Sequence, residues 1–190
     1  IQQAAGLSVI GVTGASPDTI APIVGAANQF LGVNSGGTAL AFAQVAATQL
    51  SDYTVPTLWN PVLTCATPGD LNVAYVSQSG SIARIGKLAT ANFNVVTSAF
   101  THSTASGAVV LSGLTFAAST ASAFYWGTLQ IGNNVSMAGY TQYICRLAQG
   151  TTAIELIANG NGVSSTNVGI TNLVSGSTAV LRGTLTYITV

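Results

Sequence analysis

Charge is almost missing from this chain. It has four acids, four bases and one histidine among 190 residues, 4% of the sequence, where an ordinary soluble domain carries about 25%. Its polarity sits instead in Ser, Thr, Asn and Gln, with 21 glycines between them. Hydroxyls and amides pair with backbone and tolerate burial far better than ions do. Such a composition suits β-structure and surfaces made for close neighbours. It equips the chain poorly for catalysis by ionised side chains, so no enzyme is expected. Zero net charge also leaves little repulsion between copies, which permits self-association.

The same scarcity excludes several partners. Arg84, Lys87, Arg146 and Arg182 are too few and too scattered to neutralise a phosphate backbone, so nucleic acid is set aside. No run reaches the ~18–20 apolar residues of a membrane-spanning helix. "APIVGAAN" (21–28) stops at Gln29, and "SAFYWGTLQIG" (122–132) is interrupted by Gly and Gln. Membrane insertion is therefore not expected. Residues 1–15 lack the basic start of a signal peptide, and Ile1 stands where an initiator Met would, which implies processing or an excerpt. Cys65 and Cys145 lie far apart with no CxxC motif, which favours two buried free thiols over a bridge.

Composition shifts near residue 55. Residues 1–54 are rich in Gly, Ala, Ser and Asn and read as an extended N-terminal segment for attachment or oligomerisation. "LSVIGVTGASPD" (7–18) reads as a strand running into a Ser16-Pro17-Asp18 breaker. "QFLGVNSGGTALAF" (29–42) reads as a hairpin around Asn34-Ser35-Gly36-Gly37. "ALAFAQVAATQL" (39–50) fits helix and strand equally well. From 55 to 190 the text is β. "VPTLWNPVLTC" (55–65) suits an edge strand, its prolines being unable to donate to a ladder. "LNVAYVSQSGSIARIGKLATANFNVV" (71–96) reads as strands broken at Gln78-Ser79-Gly80 and Ile85-Gly86-Lys87. Further strands are expected in 107–116, 122–132, 140–148, 152–159 and 178–190. In the last, Leu181, Leu185 and Tyr187 alternate with Arg182, Thr184 and Thr186, the period of a half-buried strand. About eight short strands in all predict an antiparallel all-β sandwich of jelly-roll type.

Only Asp18, Asp52, Asp70 and Glu155 can supply the paired carboxylates of a glycosidase. Asp18 and Asp70 follow Ser-Pro and Pro-Gly, where an Asp bonds its own turn, and Glu155 is expected to pair with Arg146 or Arg182 across a sheet. His102 is expected in an exposed Ser/Thr/Gly loop, and there is no GxSxG elbow to complete a triad. One His and two distant Cys make no metal cluster, and the glycine-rich stretches lack the Lys of a phosphate loop. No metal or cofactor is expected. Among the aromatics, Phe124 and Trp126 are expected inside the sheet. Tyr140, Tyr143, Asn133 and Asn134, around the loop "NNVSMAGY", are the candidates for contacting a receptor.

Two stretches resemble bacteriophage fibre proteins. Residues 5–45 resemble a linker of virion fibres through Leu7, Ser8, Val9, Gly11, Gln29, Leu31, Gly37, Thr38, Leu40, Phe42, Gln44 and Val45. Residues 73–119 resemble a tail-fibre module through Tyr75, Gln78, Gly80, Arg84, Ile85, Gly86, Leu88, Gly113, Leu114 and Phe116. There Ile82 stands for a usual Tyr and Thr115 for a usual Pro. The end, "STAVLRGTLTYITV", is similar to the last strand of jelly-roll fibre tips. The resemblance implies a non-enzymatic structural part of a virion: a homotrimeric tail fibre or host-attachment component. Its partners would be itself, other virion proteins and a host surface glycan. A capsid-decoration or head-fibre role without host binding is the alternative, and a polysaccharide depolymerase is the alternative of another class.

Overall fold

The structure, a computed structural model, describes residues 8–12, 20–24, 26–33, 40–44, 53–132, 135 and 137–190. The chain divides into two compact units, Ile1–Ser51 and Asp52–Val190.

The first unit holds two hairpins. Strand β1 (Ser8–Val12) pairs antiparallel with β2 (Ile20–Val24), and β3 (Phe30–Val33) with β4 (Leu40–Ala43). The second is the hairpin expected from the sequence, in the register Phe30↔Ala43 to Val33↔Leu40. Leu40–Ala43 is strand, which settles the start of the ambiguous 39–50 segment. The expected breaker at 16–18 and turn at 34–37 lie outside the described residues. Strand β2, which the sequence reading did not include, carries Pro22 in its middle. A two-stranded hairpin leaves one side of each strand unpaired, so the missing N–H is tolerated.

The second unit is all-β and antiparallel, as expected. Its strands are β5 (Tyr53–Trp59), β6 (Val62–Thr67), β7 (Asn72–Ile85), β8 (Leu88–Thr101), β9 (Ser106–Ser112), β10 (Phe124–Gly132), β11 (Gln142–Ala148), β12 (Ile154–Gly160), β13 (Val163–Asn167) and β14 (Val180–Ile188). They form one ten-stranded sheet in the order β5-β7-β8-β14-β10-β11-β12-β9-β6, with β13 paired to β12. The two ends of that path, β5 and β6, are consecutive in the chain. The segment expected as a single strand, 55–65, is therefore two, separated at Asn60-Pro61, where proline removes a donor and ends the ladder. The sheet must curl until its ends meet at this corner. Side chains fasten the corner: the Leu63 N–H donates to the Tyr75 hydroxyl (2.9 Å), and Gln78 Nε2 donates to the Pro61 carbonyl (3.1 Å).

The core fills the concave side. Leu63 and Cys65 of β6, Ile82 of β7, Phe93 and Val95 of β8, Val109 and Leu111 of β9, Cys145 and Leu147 of β11, Leu156 of β12, and Leu181, Leu185 and Tyr187 of β14 are all buried in one cluster. The alternation read in the final segment is the one that forms, with Arg182, Thr184 and Thr186 exposed between the buried leucines and tyrosine. Three glycines let this sheet curl around bulky neighbours. A Cβ on Gly80 would run into the indole of Trp59, one on Gly127 into the Thr184 carbonyl and Cys145 Sγ, and one on Gly183 into the Phe93 ring. Gly80 is thus not a strand break. Strand β7 runs through it without interruption, and the absent side chain is filled by Trp59 from the neighbouring strand. The turn expected at 85–87 is real, with Gly86 at φ 58° between β7 and β8. Strand β5 lies at the edge, with its bulge between Thr54 and Thr57 accommodating Pro56. Strand β13 was not foreseen, because "VSSTN" has a single apolar residue and no alternation.

Candidate functional site

Among the described residues, Asp70, His102 and the two cysteines make contacts within the fold, and Asp18 and Asp52 lie outside the described residues. Asp70 does not bond its own turn. Its carboxylate accepts from the Ser103 and Thr104 N–H groups (2.9 and 2.8 Å) and from both their hydroxyls (2.6 and 3.0 Å). These donors, the Ser103 hydroxyl foremost, hold the Asp70 carboxyl well below the usual carboxylate range. Gly69 precedes it at φ 53°, and a Cβ there would meet Thr104 Oγ1 at 2.8 Å. That clasp folds the 102–105 loop against the domain, so His102 is half-buried rather than exposed. Its Nε2 lies 2.9 Å from the Leu173 carbonyl and its ring stacks on Phe100 at 5.6 Å. Cys65 and Cys145 are buried free thiols. Burial pushes Cys145 up to about 12, and its Sγ faces the Thr128 carbonyl at 3.4 Å in the space Gly127 leaves open. Among the described residues, no group of three or more His, Cys, Asp or Glu could hold a metal ion.

Of the four receptor-contact candidates the structure describes Tyr140 and Tyr143. Tyr140 and Tyr143 are half-buried against the core, and the Tyr140 hydroxyl donates to the Ser164 carbonyl of β13 (3.2 Å). Asn133 and Asn134 lie outside the described residues.

A different cluster stands on the convex side. Strand β10 alternates: Tyr125, Leu129 and Ile131 pack toward the core, while Phe124, Trp126, Thr128 and Gln130 face outward. Phe124 and Trp126 were expected inside, but parity along the strand excludes them, and they are 41% and 51% exposed. The register sets Trp126 opposite Arg146 of β11, and Arg146 opposite Glu155 of β12. The Arg146 guanidinium lies 4.4 Å from the Phe124 ring centroid and 5.6 Å from that of Trp126. It donates through Nε to Glu155 Oε2 (2.7 Å) and through Nη2 to Asn167 Oδ1 (3.2 Å). Glu155 thus takes the first of its two expected partners. The ion pair braces an aromatic platform from behind and leaves no free carboxylate there.

Beside the platform the convex sheet is a shallow, open face. Trp126, Thr128, Thr184 and Thr186 line one patch of it. It runs into a second patch, lined by Asn92, Asn94, Thr128, Gln130, Arg182 and Thr184. Thr128 and Thr184 belong to both. Arg182 is the one ionisable residue in either lining, and its Nε donates to Asn94 Oδ1 (2.8 Å). No sequence motif announces this face. Its only signal is the outward half of the alternation in 122–132 and 178–190.

No family model matches the chain, and no curated protein matches it. Among solved structures it is similar to the Dettilon tailspike protein, with a TM-score of 0.50 and 17% identity. The likeness covers 69% of this chain and 23% of that one, so the chain spans about a quarter of the tailspike's length. At this identity the likeness shows a shared fold.

Proposed function

We propose that this chain is a non-enzymatic structural component of a bacteriophage virion, a tail-fibre or host-attachment part that works as a homotrimer. The observation that carries this reading is the curled antiparallel sheet, a fold shared with a phage tailspike, in a chain whose own motifs resemble fibre modules. The disposition of the acids supports the non-enzymatic part. Asp70 is spent on the 102–105 loop and Glu155 on Arg146, so neither described carboxylate is free to act as acid, base or nucleophile. Strand β5 supports association: it is an edge carrying no charge, with Val55 and Leu58 at 50% and 86% exposure. The N-terminal hairpins, with Phe30 and Val33 exposed, would join the chain to the particle or to its sister copies.

The test is adsorption. Fluorescently labelled full chain is applied to a panel of intact bacteria, and antibody raised against it is applied to virions in the electron microscope. Retention on some strains, with label at the tail, is the expected result. Label on the head with no cell binding would replace the attachment reading with decoration. New reducing ends released from cell polysaccharide would overturn the non-enzymatic assignment.

A further inference from the structure

We infer that the open convex face over β10 and β14 is an oligosaccharide-binding surface for a glycan bearing an acidic substituent, with Trp126 as its stacking platform and Arg182 as its anion contact. This rests on the attachment reading above and names the ligand chemistry of that role. An indole half out of water on a sheet face is an unfavourable place to leave apolar surface. Arg146 lies beside it, 5.6 Å from its ring centroid, and is itself bonded to Glu155 and Asn167. An exposed indole braced by a neighbour offers a sugar's C–H face a partner.

The lining beyond it matches the other half of a sugar. Thr128, Gln130 and Thr184 make no side-chain hydrogen bond among the described residues, so their hydroxyls and amide are available to ligand hydroxyls. By register Thr128 faces Thr184 and Gln130 faces Arg182, while Trp126 shares the other end of the lining with Thr186. Four residues of strand separate the two ends, about 13 Å at ~3.3 Å per residue. That span fits a short oligosaccharide and exceeds one sugar ring. The charge decides the class of sugar. With Arg182 present and no acid in the lining, the surface favours a carboxylate or phosphate substituent, which a guanidinium grips with paired donors. A copy of this chain is the poorer occupant, because a nearly acid-free partner has little to offer Arg182.

The experiment is an array of bacterial surface glycans, acidic and neutral, probed with full-length wild type, Trp126→Ala, Arg182→Gln and Thr128→Glu. Molar mass and far-UV circular dichroism are recorded for each. Retention of one or more acidic glycans is expected, weakened by about tenfold or more in each variant, as loss of a charge-assisted or stacking contact implies. Thr128→Glu sits at an exposed strand position and tests the surface through charge repulsion even if Trp126→Ala unfolds. Binding unaffected by Arg182→Gln and Thr128→Glu, equal binding of neutral glycans, or no binding at all would overturn the proposal. So would a fall in molar mass in Trp126→Ala with its fold intact, which would make the platform a contact between copies. If the wild-type chain is trimeric and adsorbs to cells but ignores every glycan, the glycan surface fails while the attachment reading stands.

Discussion

At the scale of single residues, the described carboxylates Asp70 and Glu155 act as fasteners. Asp70 shows this most directly, tying a loop more than 30 positions away through four short hydrogen bonds. Because folding lowers its pKa below the ordinary 3.8, the unfolded chain takes up the proton first as pH falls. The stability Asp70 supplies is therefore complete above pH ~4 and drains away below it. Asp70→Asn is expected to lower the melting temperature at pH 7 and to flatten its dependence on pH below 4, read by calorimetry between pH 2 and 7. Gly80 is a fastener of another kind, since the Trp59 indole occupies its side-chain space and donates from Nε1 to the Asn92 carbonyl (3.1 Å). Gly80→Ala forces that indole out and is expected to cost about 1–3 kcal/mol in urea unfolding, the usual scale of overpacking. The thiols complete the picture. Cys65 and Cys145 are expected to resist a thiol reagent in the native protein and to react on denaturation, with no change of mass on reduction. Rapid native labelling of Cys145 would contradict its buried position.

At the scale of elements, the stretch that resembles a tail-fibre module is a set of parts for closing the sheet. Tyr75 and Gln78 pin the β5–β6 corner, Gly80 receives Trp59, and Gly86 turns β7 into β8. Arg84 lies over the Phe116 ring at 4.7 Å, and Leu114 is buried. Residues 113–116 are thereby held against β7. Tyr75→Phe removes the acceptor for the Leu63 N–H and is expected to cost about 1 kcal/mol, with faster hydrogen exchange at Leu63 and little change at the centre of β14. Unchanged exchange at Leu63 would show that the corner is held otherwise. What was legible in the sequence follows from the same physics. Strands with one wet face, such as β14, declare themselves by alternation. The turn at Gly86 does so by its glycine. The continuity of β7 through Gly80 was hidden, because a glycine filled by a neighbour's indole looks like a break. The outward Phe124 and Trp126 were misplaced because hydrophobicity suggested burial, whereas strand parity assigned them to the convex side. The convex binding face was illegible, since it is assembled from β8, β10 and β14, which are neighbours only in the curled sheet.

At the scale of the molecule, uncharged surface is left at two places. The second unit buries one core on its concave side and presents hydroxyls, amides and the Phe124–Trp126 platform on its convex side. Its β5 edge is left with apolar residues and no lysine or glutamate to discourage pairing. The proposed trimer places this edge between copies, where no ion has to be desolvated. Leu58→Lys is then expected to weaken association without unfolding the domain, because Leu58 is 86% exposed. The most direct measurement is the molar mass of the full chain by light scattering after gel filtration at micromolar concentration. Three times 19.0 kDa is the predicted result. A stable monomer of 19.0 kDa with an intact β spectrum would contradict it.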